Sequence, residues 1–302
     1  MACAAPSGDC AADCAADTPR ARAPYGDFSA NMPRCSTDVC ASLRAAGVHL
    51  THDCVTPDEE AAVLAEVDAR GWEAVLSRRT QHYGHRFDYP TKSCIPTTEP
   101  IPPAMWAIFA RLRPAWWGAA GDAPGALDAC TVNEYTAGQG IAPHVDAHGA
   151  YRDGIAVLSL GDGIGMKLRP SSRAGAVGRP PTQEIWLPQR SLLELVGEAR
   201  YAYTHGIASR KGDLVDCVFY RRTRRVSLTF RRVPPVQKKC GCAFPEWCDA
   251  RPGGVSLGLP TRLGPAANAA ANADADAAAR RGRLRARLGG RLCQGRPSGR
   301  KK

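Results

Sequence analysis

The periodicity of hydrophobic and polar positions changes partway along the chain. Residues 56–59, Thr-Pro-Asp-Glu, offer an N-cap, a proline for the first helical position and a capping-box glutamate. Apolar residues then follow at helical spacing toward Gly71, so this pattern predicts a helix that begins after Thr56. A second helical pattern covers residues 103–112.

Beyond residue 128 the pattern becomes that of short strands separated by glycine and proline. Short runs rich in β-branched and aromatic residues, divided by turns, are typical of a sandwich or a barrel, and the chain shows no internal repeat. We therefore predict a mainly β fold with flanking helices. The predicted strands are residues 130–135, 155–160, 166–169, 184–187, 192–196 and 225–233.

In the last of these predicted strands, residues 225–231 alternate strictly between polar and apolar side chains. One face would carry the apolar residues Val226, Leu228 and Phe230, and the other would carry Arg225, Ser227, Thr229 and Arg231. Two interpretations are open: a half-exposed strand with its arginines in water, or a polar face directed into a barrel. In the second case the two arginines would bind a dicarboxylate such as 2-oxoglutarate, because a guanidinium pairs with a carboxylate through two hydrogen bonds.

Two histidines and a carboxylate form the first candidate metal site. His144 and Asp146 are two residues apart, so in an extended segment they share one face, and His205 follows a strand-like run further on. Such a facial triad is typical of Fe(II) enzymes that activate oxygen, although a lone His-x-Asp also occurs in ordinary surface loops. Asn133 and Tyr135 share a face of an earlier strand and would supply an amide and a phenol for the remaining carboxylate oxygens.

Three cysteines near residue 245 predict a second metal site. The chain has thirteen cysteines, an odd number, and Cys240, Cys242 and Cys248 lie within nine residues. We interpret them as zinc ligands in a reducing compartment, with His148 as the candidate fourth ligand. Taken alone, His148 would equally suit a surface loop.

Basic and aromatic residues interleave between residues 78 and 89. Side chains of this kind neutralise phosphates and stack on exposed bases, so we predict a substrate-binding segment, with an ordinary exposed hairpin as the alternative. The candidates for phosphate contacts are Arg78, Arg79 and Arg86, and those for stacking are His82, Tyr83 and Tyr89.

The net charge divides the chain into three regions. Lys and Arg total 40 and Asp and Glu total 29, giving a formal charge of +11 that favours an anionic partner, nucleic acid first. Ten bases and no acid follow Asp276, so the excess lies in the tail. We predict a disordered segment at 1–45, a folded domain at 46–250 and a disordered basic tail at 251–302, which would be a solvated arm, a nuclear-targeting signal or a nucleic-acid contact.

Hydropathy and the N-terminal composition bear on location. No stretch approaches the ~20 continuous apolar residues of a membrane span, and no charged-then-apolar leader opens the chain. We expect a cytoplasmic protein with no membrane partner, with the tail as the reason to consider the nucleus as well.

The order Asn-x-Tyr, His-x-Asp, His, Arg-x5-Arg resembles the AlkB family of Fe(II)- and 2-oxoglutarate-dependent dioxygenases. The runs at 133–141, 143–148, 187–193, 197–201 and 204–207 resemble its homologue-eight branch in particular. The resemblance spans about residues 54 to 250. It implies a double-stranded β-helix, or jelly-roll, oxygenase core that uses molecular oxygen.

The resemblance also implies residue roles. His144, Asp146 and His205 would bind Fe(II). Arg225 and Arg231 would hold the two ends of 2-oxoglutarate, helped by Asn133 and Tyr135, with Ser227 as a further contact where other members have asparagine. The branch is similar in its zinc arrangement as well, with His148 and the three cysteines, and it places its nucleotide-recognition lid at residues 78–89.

In function, the resemblance implies hydroxylation of 5-methoxycarbonylmethyluridine at the tRNA wobble position. One alternative is oxidative demethylation of alkylated RNA or DNA bases, and another is a non-catalytic, zinc-containing RNA-binding protein. Animal members of the branch carry an RNA-recognition domain before the oxygenase and a methyltransferase after it. Segments 1–45 and 251–302 are too short for these domains, so we expect a separate tRNA methyltransferase to supply the ester.

Overall fold

The computed structural model describes residues 34–75, 78–112, 128–171, 182–237 and 240–251. Most of the predicted N-terminal segment and nearly all of the predicted basic tail lie outside these residues, and the prediction of disorder there stays a prediction.

Four helices and one 3-10 turn flank the sheets in the described part of the chain. The predicted helix after Thr56 is confirmed: the Thr56 hydroxyl accepts from the Glu59 backbone N–H at 3.2 Å, and the Glu59 carboxylate accepts from the Thr56 backbone N–H at 2.8 Å. These two bonds satisfy N–H groups that the first helical turn leaves free. The helices are α1 (Ala41–Ala45), α2 (Pro57–Asp68), α3 (Pro103–Leu112) and α4 (Gly197–Tyr201), with a 3-10 turn at Pro245–Trp247.

Sixteen strands are found in the described residues, and all six predicted strands are among them within a few residues. In chain order they are β1 (Arg34–Cys35), β2 (Val48–Thr51), β3 (Glu73–Val75), β4 (Arg78–Tyr83), β5 (His85–Asp88), β6 (Ser93–Pro96), β7 (Ala129–Tyr135), β8 (Ile141–His144), β9 (Ile155–Leu160), β10 (Ile164–Pro170), β11 (Gln183–Leu187), β12 (Leu192–Leu195), β13 (Tyr203–Ile207), β14 (Gly212–Val215), β15 (Val218–Arg221) and β16 (Arg225–Arg231).

Two sheets form the centre of the fold. The larger has the order β2-β12-β9-β16-β7-β4-β3 and the smaller the order β11-β10-β13-β8. From β7 onward the chain passes back and forth between them, with β7, β9, β12 and β16 in the larger sheet and β8, β10, β11 and β13 in the smaller. This is the eight-stranded jelly-roll topology, so the expected fold class is confirmed.

Each face of the larger sheet packs against a different layer. On the outer face Val226, Leu228 and Phe230 of β16 are fully buried against α2 and α3, with the Phe230 and Phe109 rings 4.8 Å apart. A second apolar cluster joins the two sheets inside the jelly roll. The polar residues of β16 therefore point into the jelly roll, and the interpretation that places its arginines in water is wrong: Arg225 is only 2% exposed.

The ordered domain begins earlier than the predicted boundary at residue 46. Residues 34–45 fall within the predicted disordered segment, yet they include β1, which pairs in parallel with β14, and α1. Leu43 of α1 is almost fully buried in the cluster between the sheets, and this burial offsets the entropy of ordering the segment. No helix in the described part of the chain is long and apolar enough to cross a membrane.

Candidate active site

The three residues of the predicted triad converge on one point. His144 ends β8 and lies directly opposite His205 of β13 in the strand register, and Asp146 follows two residues after His144. The imidazole centroids are 4.4 Å apart, and His144 Nε2 lies 3.6 Å from Asp146 Oδ1. One ligand atom from each residue lies within 4.8 Å of the others, so this geometry suits one metal ion.

Electrostatics keeps these side chains in their metal-binding forms. Burial lowers the pKa of His144 and lowers the pKa of His205 to about 3, so both imidazoles are neutral at physiological pH. Burial favours the neutral acid at Asp146, but the guanidinium of Arg231, with Nε 2.6 Å from Oδ2, holds the pKa of that carboxyl below its ordinary value. His144 Nδ1 donates to the Ala142 carbonyl at 2.8 Å, which leaves Nε2 free for a metal.

Arg225 is a buried cation that lacks a carboxylate partner among the described residues. Its Nη2 donates to Ser159 Oγ at 2.9 Å, its guanidinium carbon lies 5.5 Å from the centroid of the Tyr135 ring, and its Nε has no hydrogen-bond partner. Burial lowers its pKa to about 10. An unmet buried charge is costly, so this environment fits the carboxylate of a bound oxoacid.

The other predicted oxoacid contacts lie on the same interior face. In the register of β7 and β16, Tyr135 lies opposite Arg225 and Asn133 lies opposite Ser227. Asn133 Oδ1 accepts from Arg78 Nε at 3.1 Å. An amide and a phenol on β7 are thereby placed beside the hydroxyl and the two arginines of β16.

The predicted Cys/His cluster is also assembled. His148, Cys240, Cys242 and Cys248 offer one ligand atom each within 4.8 Å of one another. His148 Nε2 donates to the Tyr201 carbonyl at 2.9 Å, which leaves Nδ1 directed toward Cys242 Sγ at 3.5 Å. Three thiols and an oriented imidazole are a donor set that fits tetrahedral zinc.

Strand β4 divides the predicted substrate residues between its two faces. Arg78 and His82 face the interior, where His82 Nδ1 lies 3.4 Å from Thr131 Oγ1. Arg79 and Tyr83 face the opposite side and are not brought to the site. Arg79 pairs with Glu134 and its guanidinium carbon lies 4.6 Å from the centroid of the Trp72 ring, while Tyr83 is 2% exposed and donates to Gln81.

The remaining two substrate candidates lie on the β5–β6 hairpin and the turn that follows β5. Arg86 is exposed on β5, and Tyr89 is partly exposed with its ring edge-on to Phe87 at 5.1 Å. Burial raises the pKa of Tyr89, and the charges of Arg78 and Asp146 act on its phenol in opposite directions.

Sequence reasoning missed two residues that organise this region, the buried Arg200 and the partly exposed Gln237. Arg200 donates to backbone carbonyls of the loop that carries Asp146, and Gln237 pairs through its side-chain amide with both backbone groups of Cys94 in β6. Neither shows a signal in the local pattern: Arg200 lies on a five-residue helix, and Gln237 lies in a polar connection.

Comparison with known proteins agrees with this geometry. The model of the 2OG-Fe(II) oxygenase superfamily matches residues 47–231. The chain is 38% identical to "Alkylated DNA repair protein ALKBH8 homolog" of Arabidopsis thaliana, over 70% of this chain and 64% of that protein. It is 33% identical to "tRNA (carboxymethyluridine(34)-5-O)-methyltransferase alkbh8" of Xenopus tropicalis, over 68% of this chain and 34% of that protein. Among solved structures, "The structure of OsALKBH1" aligns with 62% of this chain and 96% of that one at a TM-score of 0.44 and 19% identity.

The chain therefore belongs to the 2OG-Fe(II) oxygenase superfamily, whose enzymes use iron, 2-oxoglutarate and molecular oxygen. Within it, the chain resembles oxygenases of the AlkB homologue-eight type. It spans just under two thirds of the Arabidopsis relative and about a third of the Xenopus relative.

Proposed function

We propose that this chain hydroxylates 5-methoxycarbonylmethyluridine at the wobble position of tRNA, using Fe(II) and 2-oxoglutarate. The observation that carries the proposal is the buried triad beside two interior arginines, of which Arg225 has no carboxylate partner among the described residues. The names of the homologue-eight relatives support wobble uridine of tRNA as the substrate.

In this proposal His144, Asp146 and His205 hold the iron. When bound, iron with 2-oxoglutarate and oxygen supplies the oxidation of a substrate C–H bond, with succinate and carbon dioxide as co-products. The protein keeps both imidazoles neutral by burial and orients Asp146 through its bond to Arg231.

The interior face of the larger sheet binds 2-oxoglutarate. Arg225, beside the Tyr135 ring, binds one carboxylate of 2-oxoglutarate, and Arg231 binds the other end of the molecule near the triad. Asn133 and Ser227 are neutral hydrogen-bonding groups between the two arginines. The full burial of Arg225 excludes water from its ion pair with the co-substrate, which strengthens that pair.

The cluster of His148, Cys240, Cys242 and Cys248 holds a structural zinc ion. The chain segment just before the three cysteines contacts the β5–β6 hairpin, because the Gln237 side chain hydrogen-bonds to the backbone of Cys94 in β6. Zinc would thus stabilise the wall of the site that faces the nucleic acid and perform no chemistry itself.

The substrate base enters beside β4 and the β5–β6 hairpin. Arg78, His82 and Tyr89 contact the base and its neighbouring groups, and the exposed Arg86 contacts phosphate. Arg79 and Tyr83 support β4 from its opposite face. An anticodon loop suits such a site because its bases are already unstacked and can be splayed into a pocket.

Two partners complete the proposal. A separate methyltransferase forms the methyl ester of the substrate, and the basic tail beyond Asp276 adds affinity for tRNA.

Oxidative demethylation of alkylated bases is the second candidate, favoured by the repair-protein name of the Arabidopsis relative. The two functions differ in products: an N-methyl group oxidised at carbon leaves as formaldehyde, whereas a methylene on a ring carbon keeps its hydroxyl.

In the test, the chain is incubated with Fe(II), 2-oxoglutarate and either ester-bearing tRNA or methylated oligonucleotides. We expect succinate with tRNA and no formaldehyde; formaldehyde from methylated oligonucleotides with no reaction on tRNA would reverse the assignment. Succinate with neither substrate would favour a non-catalytic RNA-binding protein.

A further inference from the structure

Arg200 of α4 is almost fully buried, and its guanidinium binds the backbone of the loop between β8 and β9. Nη1 donates to the Asp146 carbonyl at 2.8 Å, and Nη2 donates to the carbonyls of Ala147 at 3.1 Å and Tyr151 at 3.3 Å. This loop carries one residue of each candidate metal site, Asp146 of the triad and His148 of the Cys/His cluster. Arg200 therefore holds the backbone from which both ligands project.

The next residue of α4 reaches the same loop. The Tyr201 carbonyl accepts from His148 Nε2 at 2.9 Å, and this bond leaves Nδ1 directed toward Cys242. The Tyr201 ring centroid lies 4.9 Å from that of His148 and 4.7 Å from the guanidinium carbon of Arg200. Two adjacent residues thus fix the backbone at Asp146 and the imidazole of the Cys/His cluster.

Helix α4 also leads directly into β13, which carries His205. The two strand-borne histidines of the triad are set by the register of β8 and β13. Asp146 lies beyond the end of β8, so no strand pairing fixes it, and its backbone position depends on the loop contacts.

Among the described residues, the hydrogen bonds of the Arg200 guanidinium all go to backbone carbonyl oxygens. Among the described residues it forms no ion pair with a carboxylate, and its Nε has no hydrogen-bond partner. Burying a cation is unfavourable unless hydrogen bonds compensate, so the three bonds to the loop are needed to offset the burial of Arg200. A guanidinium can span three carbonyls with its planar set of donors, which the single ammonium of lysine does less well.

We propose that Arg200 is a positioning residue that couples the two metal sites. It fixes the backbone at Asp146 for iron binding, and through Tyr201 and His148 it transmits occupancy of the Cys/His cluster to the triad. The inference rests on the proposed function, since it takes the triad and the cluster to bind metals.

Two measurements separate the sites in the full chain. Manganese(II) titrated alone and followed by electron paramagnetic resonance reports on the triad, because manganese prefers imidazole and carboxylate to thiolate. Zinc content measured by mass spectrometry reports on the Cys/His cluster. The variants are Arg200→Met and Arg200→Lys, and the control is Arg190→Met, which removes a partly buried arginine that pairs with Glu60 away from both sites.

We expect Arg200→Met to weaken manganese binding about 10- to 100-fold, the usual effect of removing a group that orients a metal ligand. Arg200→Lys should recover part of the affinity, and Arg190→Met should lower the melting temperature without changing the affinity for manganese. Removing zinc should weaken manganese binding in the unsubstituted chain and much less in Arg200→Met, where the coupling is already broken.

Unchanged manganese affinity in Arg200→Met would overturn the inference, and so would an equal effect of zinc removal in both proteins. If Arg200→Met does not fold, the same comparison is made with Arg200→Lys, and affinity equal to that of the unsubstituted chain would then overturn it. Failure of the proposed function is distinguishable, because the unsubstituted, zinc-loaded chain would itself bind no manganese.

Discussion

We expect Arg225 to destabilise the ligand-free protein and to stabilise its complex with an anionic ligand. Its guanidinium is buried against the Ser159 hydroxyl and the Tyr135 ring, and its Nε has no hydrogen-bond partner in the part of the chain that the structure describes. A residue kept at such a cost is explained most simply by an anionic ligand that completes its environment.

Replacing Arg225 with methionine should therefore have opposite effects on stability and on binding. We expect the unfolding free energy of the ligand-free protein to stay constant or rise, since an unpaired buried charge is removed. The dissociation constant for 2-oxoglutarate should rise by the equivalent of about 2–5 kcal/mol, the usual cost of truncating one partner of a buried charge pair. Thermal unfolding with and without 2-oxoglutarate checks both effects. A large loss of stability with an unchanged ligand-induced shift would show that Arg225 is structural.

The two metal sites should respond separately to substitution of their ligands. His144→Ala removes one of the three proposed iron ligands and should abolish turnover while leaving zinc content near that of the unsubstituted chain. Cys242→Ser removes one of the four proposed zinc ligands and should lower zinc content and melting temperature while most of the iron is retained. Metal analysis of both variants provides the measurement, and equal loss of iron in the two would contradict the assignment of two sites.

At the scale of elements, the capping box of α2 is a feature that sequence and structure share. Thr56→Ala removes the hydroxyl acceptor of the Glu59 N–H and should cost about 1 kcal/mol. In a domain of this size that corresponds to a fall in melting temperature of about 2–4 °C. Thr56→Ser keeps the acceptor and is the matched control, so an equal fall in both variants would show that the cap contributes little.

The elements that could be predicted are those with strong local signals. The capping box predicts where α2 begins. The alternation of residues in β16 distinguishes its core face from its polar face without information on packing. Short strands such as β1 and β14 escaped prediction, because two to four residues cannot show a period and their pairing joins segments far apart in the chain.

Within the site, the convergence of the candidate metal ligands could be predicted, but the orientation of the two faces of β4 could not. The run of residues 78–83 is polar at most positions, so its sequence does not show which face is buried. The sequence-based prediction therefore places Arg79 and Tyr83 together with Arg78 and His82. Only the pairing of β4 with β7 separates the two sets. The role of Arg200 could not be predicted for a similar reason: its partners are backbone carbonyls, which every residue carries, so no side-chain pattern indicates them.

At the scale of the whole molecule, charge is divided unevenly between the folded domain and the tail. The first 276 residues carry 30 bases and 29 acids, whereas the rest carries ten bases. We therefore expect the folded domain to meet its substrate through local groups at the mouth of the site, and the tail to supply attraction that does not depend on sequence.

Deleting residues 277–302 should weaken tRNA binding and reduce its dependence on salt. Every phosphate that the shortened chain no longer neutralises reduces the slope of log K against log salt by about 0.9 for a duplex and about 0.7 for a single strand. Binding titrations at several salt concentrations provide the measurement, with turnover at saturating tRNA as the control for an intact active site. An unchanged slope would rule out this role of the tail.

The proposed reaction can be observed directly by mass spectrometry of the wobble nucleoside, after incubation of the chain with Fe(II), 2-oxoglutarate and tRNA that carries 5-methoxycarbonylmethyluridine. We predict a nucleoside heavier by one oxygen atom, formed in step with succinate and absent with His144→Ala. Succinate formation with no change in the mass of the wobble nucleoside would contradict the proposed hydroxylation. Release of a methyl group as formaldehyde would contradict it as well.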